Sequence, residues 1–351
     1  MEIVFRQGLK NGGVLIWNTS EPLMGRTAYI VAIDFPETAM RIRYLAIFFA
    51  LSGVTACNGG EPAQPAFAGG TLPSAAAFAP IPQPEAKRIL DQYESLAKQA
   101  NWKSAEAGLS LQLTNADNRV NALLGERPEK RPTITKTRFA IPPSGAWFMA
   151  EYKTGSNWTQ LIFQKTAEGW RVVSGSVARP PDIATDPNGL ATALNVDQRG
   201  GLAVSPRQAA EAHTRLMSTL GEDAAAQRMF ASGDYTTELV AALRSDRQKA
   251  RGQWTLKYQP QLVPEIFALE TSDGGAVVWY GVRQQDTYTA RPGAAELRLT
   301  QRGWAALSRG AFYKSKVTMK SGAIYVAVIP PSSGKVRVIS QWFSPFSING
   351  S

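Results

Sequence analysis

The chain has few of the side chains on which thiol and zinc chemistry depend: one cysteine, Cys57, and one histidine, His213, occur among its 351 residues. A zinc site of the usual kind needs three or four cysteine or histidine ligands, and thiol catalysis pairs a free cysteine with a histidine. We expect neither here, and no metal site. A lone cysteine forms no internal disulfide either, so the fold must rest on its apolar core, for which the chain is long enough.

The longest apolar run near the start of the chain is also too short for a membrane-spanning helix. The run from Tyr44 to Val54 has 11 residues, whereas a helix needs about 20 to cross the hydrocarbon core of a bilayer. Arg41 and Arg43 precede this run, and small residues follow it up to Cys57. Basic residues, a short apolar run and small residues in this order are typical of an export signal, not of a membrane span.

The residues Val54-Thr55-Ala56-Cys57 resemble the lipobox of bacterial lipoproteins. The resemblance implies that the Cys57 thiol receives a diacylglyceryl group, that the signal is cut before it, and that the new amino terminus can be acylated, for example with palmitate. We therefore expect a protein held by lipid on the extracytoplasmic face of the cell membrane. The alternative, a buried thiol, does not explain why the cysteine follows a signal segment and precedes a tract rich in Pro, Gly and Ala.

Thirty-nine residues precede Met40, although a signal peptide normally begins near the start of a chain. Their longest apolar piece, Tyr29–Ile33, is too short to anchor a protein or to found a domain. We interpret Met1–Ala39 as a mis-assigned upstream segment and Met40 as the initiator.

The mature chain that cleavage before Cys57 would leave has 33 Lys and Arg against 24 Asp and Glu, and is therefore basic. An exported protein meets anionic lipids, acidic wall polymers and envelope proteins, so we expect no nucleic acid partner. The densest basic segment supplies a possible patch for an anionic partner: Arg244, Arg247, Lys249 and Arg251. The alternative is that these side chains form a solvated helix face.

Composition divides the rest of the chain. The 27 residues after Cys57 include six Pro, four Gly and seven Ala, which is typical of a flexible tether. The predicted segments are an upstream segment 1–39, a signal peptide 40–56, a lipidated cysteine and tether 57–84, a first domain 85–180, a linker 181–204, a second domain 205–346 and a tail 347–351.

The first domain begins with an amphipathic pattern over Glu85–Ala100, which predicts a helix with one apolar face. A loop-rich stretch is expected from there through Glu126–Pro132. Short turn-forming clusters then separate four strand-like runs, which predict an antiparallel meander. These runs are Ile134–Ile141, Ala146–Lys153, Trp158–Lys165 and Trp170–Val177.

The second domain repeats this plan. Ser205-Pro206 predicts a capped helix start, and a short helix is expected around Thr237–Leu243. The predicted strands are Gln253–Tyr258, Val263–Glu270, Ala276–Asp286, Ala294–Thr300, Phe312–Met319, Ile324–Ile329 and Val336–Phe343.

Three short segments match in the same order in the two domains, which favours a duplication. They are Phe139-Ala-Ile141 with Phe267-Ala-Leu269, Gly145-Ala146 with Gly275-Ala276, and Arg171-Val-Val-Ser174 with Arg337-Val-Ile-Ser340.

A leading helix, short helices and a bent meander rich in aromatics resemble the cone-shaped fold of the nuclear-transport-factor and ketosteroid-isomerase superfamily. With the lipobox, the tether and the segments Gly145–Ala150 and Gly169–Val173, the arrangement also resembles uncharacterised actinobacterial lipoproteins with tandem domains, over about Glu85 to Phe346. The predicted fold class is α+β, with two tandem domains that each pack an amphipathic helix and short helices on a curved antiparallel sheet. The resemblance brings no assigned activity.

Candidate catalytic groups are few. Enzymes of the cone superfamily use Asp, His or Tyr at the mouth of the cone, and here His213 and Tyr93 occupy matching helix positions, but both are expected to pack in the core. Two turn-like segments, Asn115–Asn118 and Asp186–Gly189, lack the ligand spacing of a calcium loop. No phosphate-binding loop or dinucleotide motif occurs, so no cofactor is expected.

We therefore expect a non-catalytic binding or scaffolding module at the cell envelope. The alternative is an enzyme with an acid/base site in one cone, acting on a small hydrophobic or glycan substrate. Polar groups with perturbed titration that converge in a deep pocket would favour that alternative.

Overall fold

The computed structural model describes residues 33–34, 79–126, 134–179 and 181–351. The predicted signal segment 40–56 and Cys57 lie outside these residues, as does the predicted tether up to residue 78. The first described element is a two-residue strand, β1, Ile33–Asp34, which pairs with a strand of the second half of the chain.

The described part of the first half, from residue 79 onward, has three helices followed by a four-stranded meander. Helix α1 buries the predicted apolar face, with Glu85 in its first turn, where a negative charge complements the helix dipole. The meander follows the predicted strands to within about one residue at each end. The elements are α1 Gln83–Lys98, α2 Trp102–Ala105, α3 Gly108–Leu123, β2 Ile134–Ala140, β3 Trp147–Thr154, β4 Asn157–Thr166 and β5 Gly169–Val177.

Helix α3 corrects the expectation of a loop-rich stretch before residue 126. Its buried face alternates apolar and polar side chains, with Ser110 and Thr114 buried beside Leu109 and Leu113. No side-chain cap marks its start. A polar buried face without a cap lacks both signals by which sequence reasoning recognises a helix.

The second half begins with helix α4, which carries the predicted cap: the Ser205 hydroxyl accepts from the Gln208 backbone N–H, and the Gln208 side chain accepts from the Ser205 backbone N–H. The elements that follow are listed in chain order. They are α4 Pro206–Ser218, α5 Ala224–Met229, a π-helical turn Asp234–Glu238, α6 Leu239–Ala250, β6 Trp254–Glu270, β7 Ala276–Ala290, β8 Leu297–Leu299, α7 Arg302–Ser308, β9 Phe312–Tyr313, β10 Lys316–Ile329 and β11 Arg337–Gly350.

Two of the predicted strands, Gln253–Tyr258 and Val263–Glu270, form the single strand β6, which has a register shift between Leu262 and Ile266. Pro260 lies inside it. Proline donates no ladder hydrogen bond and is tolerated at a sheet edge, and β6 is an edge strand.

The predicted α+β fold class is confirmed. Each half has its own antiparallel four-stranded sheet, in the order β2-β3-β4-β5 and β6-β7-β10-β11. A third, small sheet has the order β1-β8-β9. The matched segments lie at equivalent places: Phe139 and Phe267 in the first strand of each meander, and Arg171 and Arg337 in the fourth.

The four layers are α1, the first sheet, the second sheet and α4 with α6. Because side chains alternate along a strand, each sheet has two faces to bury. The first sheet packs Phe148 and Leu161 against α1, and the second packs Val278 and Tyr280 against α4 and α6. The two remaining faces meet each other through a third cluster: Ala140, Met149, Ile162, Ala191, Phe267, Leu269, Val277, Trp279 and Val326.

Helix α3 belongs to the first half but packs on the second sheet. Leu109 and Leu113 contact Val263, Ile324 and Trp342 there. Two glycines of the second sheet permit this approach: a Cβ on Gly281 would lie 2.5 Å from Leu109 Cδ2, and one on Gly322 would lie 3.0 Å from Leu109 Cδ1. α3 therefore fits into a depression that glycine makes possible.

The segment predicted as a linker, 181–204, is extended and joined to β6 by backbone hydrogen bonds. The Ala184 N–H donates to the Glu270 carbonyl at 2.9 Å, and the Leu194 N–H donates to the Ala268 carbonyl at 3.0 Å. Ala191 is buried between the two sheets. This connection is thus part of the packed structure.

Candidate functional site

His213 lies on the buried face of α4 and is fully enclosed. Its Nε2 is 2.7 Å from the Tyr235 carbonyl oxygen, which can only accept, so Nε2 carries the proton. The Tyr280 hydroxyl then donates to Nδ1 at 2.8 Å. Burial lowers the pKa of His213 to about 4, which keeps the ring neutral at physiological pH. Both ring nitrogens are thus occupied within the core.

Tyr93 occupies the matching place on α1. Its hydroxyl donates to Glu106 Oε1 at 3.1 Å, while Ser110 and Thr114 donate to Glu106 Oε2 at 3.1 and 2.6 Å. The buried carboxylate of Glu106 therefore joins α1 to α3. Next to it, the Phe148 and Phe163 rings stack at 4.8 Å and fill the space between α1 and the first sheet.

The possible anionic-partner patch runs from the middle of α6 to the residue that follows it, with all four side chains exposed. The Arg244 guanidinium donates to the Leu220 carbonyl at the end of α4, and Arg247 Nη1 lies 3.8 Å from Glu222 Oε1. Two of the four cations are thus engaged with neighbouring groups. An exposed cation in such a pair contributes little free energy and attracts an anionic partner less than a free one.

A pocket opens in the second half between the helices and their sheet. The space inside it that the centre of a water-sized molecule can occupy is about 40 Å³, and its mouth is open to solvent. Apolar side chains of α4, α6, α7 and the central strands form most of its wall. The lining residues are Met217, Leu239, Leu243, Val282, Gln284, Asp286, Trp304, Ser321, Gly322, Ala323, Tyr325, Gln341 and Phe343.

Asp286 is the one charged residue that lines the pocket. It lies on β7 between Tyr258 of β6 and Met319 of β10 in the sheet register, with its side chain buried. Gln284 Nε2 donates to both carboxylate oxygens, at 2.8 and 2.9 Å. Burial nevertheless raises the pKa of Asp286 to about 7, helped by the nearby negative charge of Asp246.

Asp246 reaches this region from the buried face of α6. Burial raises its pKa from 3.8 to about 7, although Lys249 favours the charged form. In the described part of the chain its Oδ2 atom is buried without a hydrogen-bond partner. Burial and the charges of Asp246 and Asp286 also raise the pKa of Tyr258, whose hydroxyl donates to the Leu243 carbonyl at 3.2 Å.

Two further polar groups near these carboxyls are unsatisfied among the described residues: the Tyr288 hydroxyl and Trp304 Nε1. Tyr288 follows Asp286 on the same face of β7, and Trp304 lines the pocket. A buried polar atom without a partner costs free energy, so such groups mark places where a ligand can improve the structure.

Sequence reasoning missed both carboxyls, although each leaves a signal. Asp246 occupies a buried position of α6, three residues after Leu243 and four before Ala250. Asp286 continues the inward alternation of Tyr280, Val282 and Gln284 along β7. A carboxylate at an inward position of an amphipathic pattern is rare in a core and points to a functional site.

The site can hold a mostly apolar molecule whose polar end meets Asp286, Gln284 and Gln341. Asp286, whose pKa lies at about 7, can also take and give a proton there. Across the described ranges, no group of three or more His, Cys, Asp or Glu is placed to hold a metal ion. Within the same ranges, no helix has the length and apolar character needed to cross a bilayer.

Comparison with known proteins gives a family and a relative. An uncharacterized lipoprotein of Streptomyces coelicolor is 25% identical over an alignment of 282 residues, and the match covers 73% of this chain and 82% of that protein. No solved structure matches the chain significantly. The model of the family described as "Domain of unknown function (DUF8094)" matches residues 81–343. Since this match covers both helical layers, both large sheets and the pocket, the chain belongs to that family.

Proposed function

We propose that this protein is a lipid-anchored envelope protein whose second half binds a small, mostly apolar ligand without transforming it. The ligand occupies the pocket between α4, α6 and the second sheet, and its polar end meets Asp286. The lipid on Cys57 and the tether hold this pocket on the extracytoplasmic face of the membrane.

The anchor is supported by the sequence and by the relative. The signal-like segment ends at the only cysteine of the chain, and the Streptomyces coelicolor protein is named a lipoprotein. Two or more acyl chains hold a protein on a bilayer stably, whereas one does so only marginally.

A Cys57→Ser change tests the anchor. We expect the unchanged protein to partition into the detergent phase of a two-phase extraction and the variant to remain in the aqueous phase. Equal partitioning of the two proteins would contradict lipidation at Cys57.

Binding in the second half rests above all on the buried carboxyl of Asp286 in an apolar pocket. Ligand sites combine apolar walls with a few convergent polar groups, and this pocket has that composition. The equivalent space of the first half is filled by stacked aromatic rings. Each half also has a helix followed by an antiparallel meander, as in the cone superfamily. We propose that the two halves are related to that superfamily.

The test uses the full chain and benzyl alcohol, a neutral probe with an apolar ring and one hydroxyl. We expect saturation transfer from the protein to the ring protons, and its loss in an Ala323→Phe variant that fills the pocket. Lys320→Phe places the same ring on an exposed position of β10 and should keep the signal. Equal signals from both variants would contradict binding in this pocket.

A second candidate function is acid/base catalysis by Asp286 on a small hydrophobic or glycan substrate. The observation that favours it is the pKa of about 7, since a group that titrates at the working pH can both take and give a proton. Turnover of the native ligand that disappears in Asp286→Asn, while binding persists, would replace the binding role by this one.

A further inference from the structure

The chemistry of the pocket restricts what it can hold. None of its thirteen lining residues is Lys, Arg or His, and Asp286 is the only lining residue that ionises near neutral pH. Asp246 adds a second carboxyl behind the wall, with one oxygen buried and unpartnered among the described residues. A site whose charged groups are acids and whose wall holds no cation is unfavourable for an anion.

The neutral polar groups of the pocket also favour a ligand that donates hydrogen bonds. The Gln284 amide nitrogen donates to Asp286, and the Gln341 amide nitrogen donates to the Tyr325 hydroxyl at 2.8 Å. An amide whose nitrogen is occupied presents its carbonyl oxygen as an acceptor. Among these three side chains, the acceptors are the two amide oxygens and the Asp286 carboxylate.

Aromatic rings complete the wall. Trp304, Tyr325 and Phe343 all line the pocket. The face of an aromatic ring attracts a cation, most strongly where water is excluded. Carboxylates, amide oxygens and ring faces favour the same kind of guest.

We propose that the pocket selects a small organic cation, an apolar body that carries a protonated amine. The ammonium lies against Asp286 with Asp246 behind it, and the apolar body contacts the rings. This inference rests on the proposed binding function and names its ligand class.

Binding of this cation should release a proton from the protein to solvent. Lys249 of α6 acts on Asp246, and Arg247 acts on Tyr258. The titratable groups near the two carboxyls are Tyr258 of β6 and Tyr288 of β7. Neither tyrosine ionises near neutral pH, because burial raises its pKa. An arriving ammonium stabilises the ionised carboxyls, so the proton that the pair holds in the empty protein leaves to solvent. Affinity should therefore rise as the pH rises from 5 to 7.

The experiment compares three probes of one size: benzylammonium, benzyl alcohol and benzoate. The full chain is labelled with ¹⁵N, and the indole N–H signal of Trp304, assigned with Trp304→Phe, reports binding. We expect benzylammonium to bind at least about tenfold more tightly than benzyl alcohol, and benzoate to bind least. Asp286→Asn should abolish this preference, because it should weaken the binding of benzylammonium much more than that of benzyl alcohol. Asp91→Asn removes a carboxylate from an exposed site on α1 and should change nothing.

The outcomes separate the two proposals. If benzyl alcohol or benzoate binds as tightly as benzylammonium, or if the preference survives in Asp286→Asn, the cation inference is wrong and the binding function stands. If the indole signal responds to none of the probes, both are wrong. A preference for benzylammonium that grows with pH and needs Asp286 supports the inference.

Discussion

Two buried carboxyls make the stability of this protein depend on pH. The pKa of Asp246 and of Asp286 is 3.8 in a model peptide and about 7 in the folded protein. Between pH 4 and 7 the folded state therefore holds protons that the unfolded chain releases. Their contribution to stability is largest below pH 4 and is lost as the pH rises to 7.

Asp286→Asn should remove much of this dependence. Relative to the unchanged protein, the free energy of unfolding of the variant should rise between pH 4.5 and 7.5 by about 3 kcal/mol, since one unit of pKa shift corresponds to about 1.4 kcal/mol. Urea unfolding at both pH values measures this difference, with Asp91→Asn as the control. A difference that does not change with pH would contradict the burial of an acid with a raised pKa.

His213 acts in the opposite direction. Its pKa falls from 6.5 to about 4 on folding, so the unfolded chain binds the extra proton and stability is lost as the pH falls from 6.5 to 4. His213→Ala should cost about 2–4 kcal/mol at pH 7, because it leaves a cavity and unpairs the Tyr235 carbonyl.

His213→Gln keeps a donor for the Tyr235 carbonyl and should cost less than His213→Ala. It should leave benzyl alcohol binding unchanged, because His213 bonds within the core and does not line the pocket. Its stability deficit should shrink as the pH falls toward 4. Loss of binding with an intact circular dichroism spectrum would show that His213 has a role in the site.

At the scale of elements, the packing of α3 depends on glycine. Gly281→Ala would place a methyl group against Leu109 and Val263, and overpacking of this kind costs about 1–3 kcal/mol. Gly201→Ala is the matched control, because a Cβ there meets no atom within 4 Å. We expect urea unfolding to show a loss for Gly281→Ala and little change for Gly201→Ala.

A second change identifies the cause of that loss. In a Leu109→Ala background, Gly281→Ala should cost much less, because the methyl group then enters the space that Leu109 vacates. Equal costs in both backgrounds would show that the strain does not come from the contact with α3.

Some strands and helices could be predicted from the sequence, and others could not. The first meander was predictable because turn clusters such as Thr154–Asn157 bound runs of alternating residues. The Ser205 cap likewise made the start of α4 predictable from the sequence. Helix α3 was not recognisable, because Ser110 and Thr114 are buried in it by their bonds to Glu106, a partner that only the fold brings near.

The site was predictable only in part. The predicted helix on a curved antiparallel sheet identifies the space between the two as a place where a pocket can form. It does not identify Asp246 and Asp286, which are 40 residues apart in the chain and come near each other because α6 packs on β6, the strand beside β7. His213 and Tyr93, which the sequence singled out, instead fill the two cores.

At the scale of the molecule, the two halves share a buried interface. Trp279 Nε1 donates to Gln160 Oε1 at 2.8 Å between the sheets, and Trp342 Nε1 donates to Asp117 Oδ2 of α3 at 2.9 Å. Segment 181–204 adds backbone bonds to β6. Each half exposes apolar residues without the other, so neither is expected to be stable alone.

The full chain should therefore unfold as one unit. We expect a single urea transition, with the same midpoint by circular dichroism and by tryptophan fluorescence. Gln160→Leu, which leaves the Trp279 indole N–H unpaired, should lower the free energy of unfolding of the whole chain by about 1–3 kcal/mol and keep one transition. Gln248→Leu on the exposed face of α6 is the control. Two separate transitions, of which Gln160→Leu moves only one, would show that the halves fold independently and that the interface between the sheets is not what holds the molecule together.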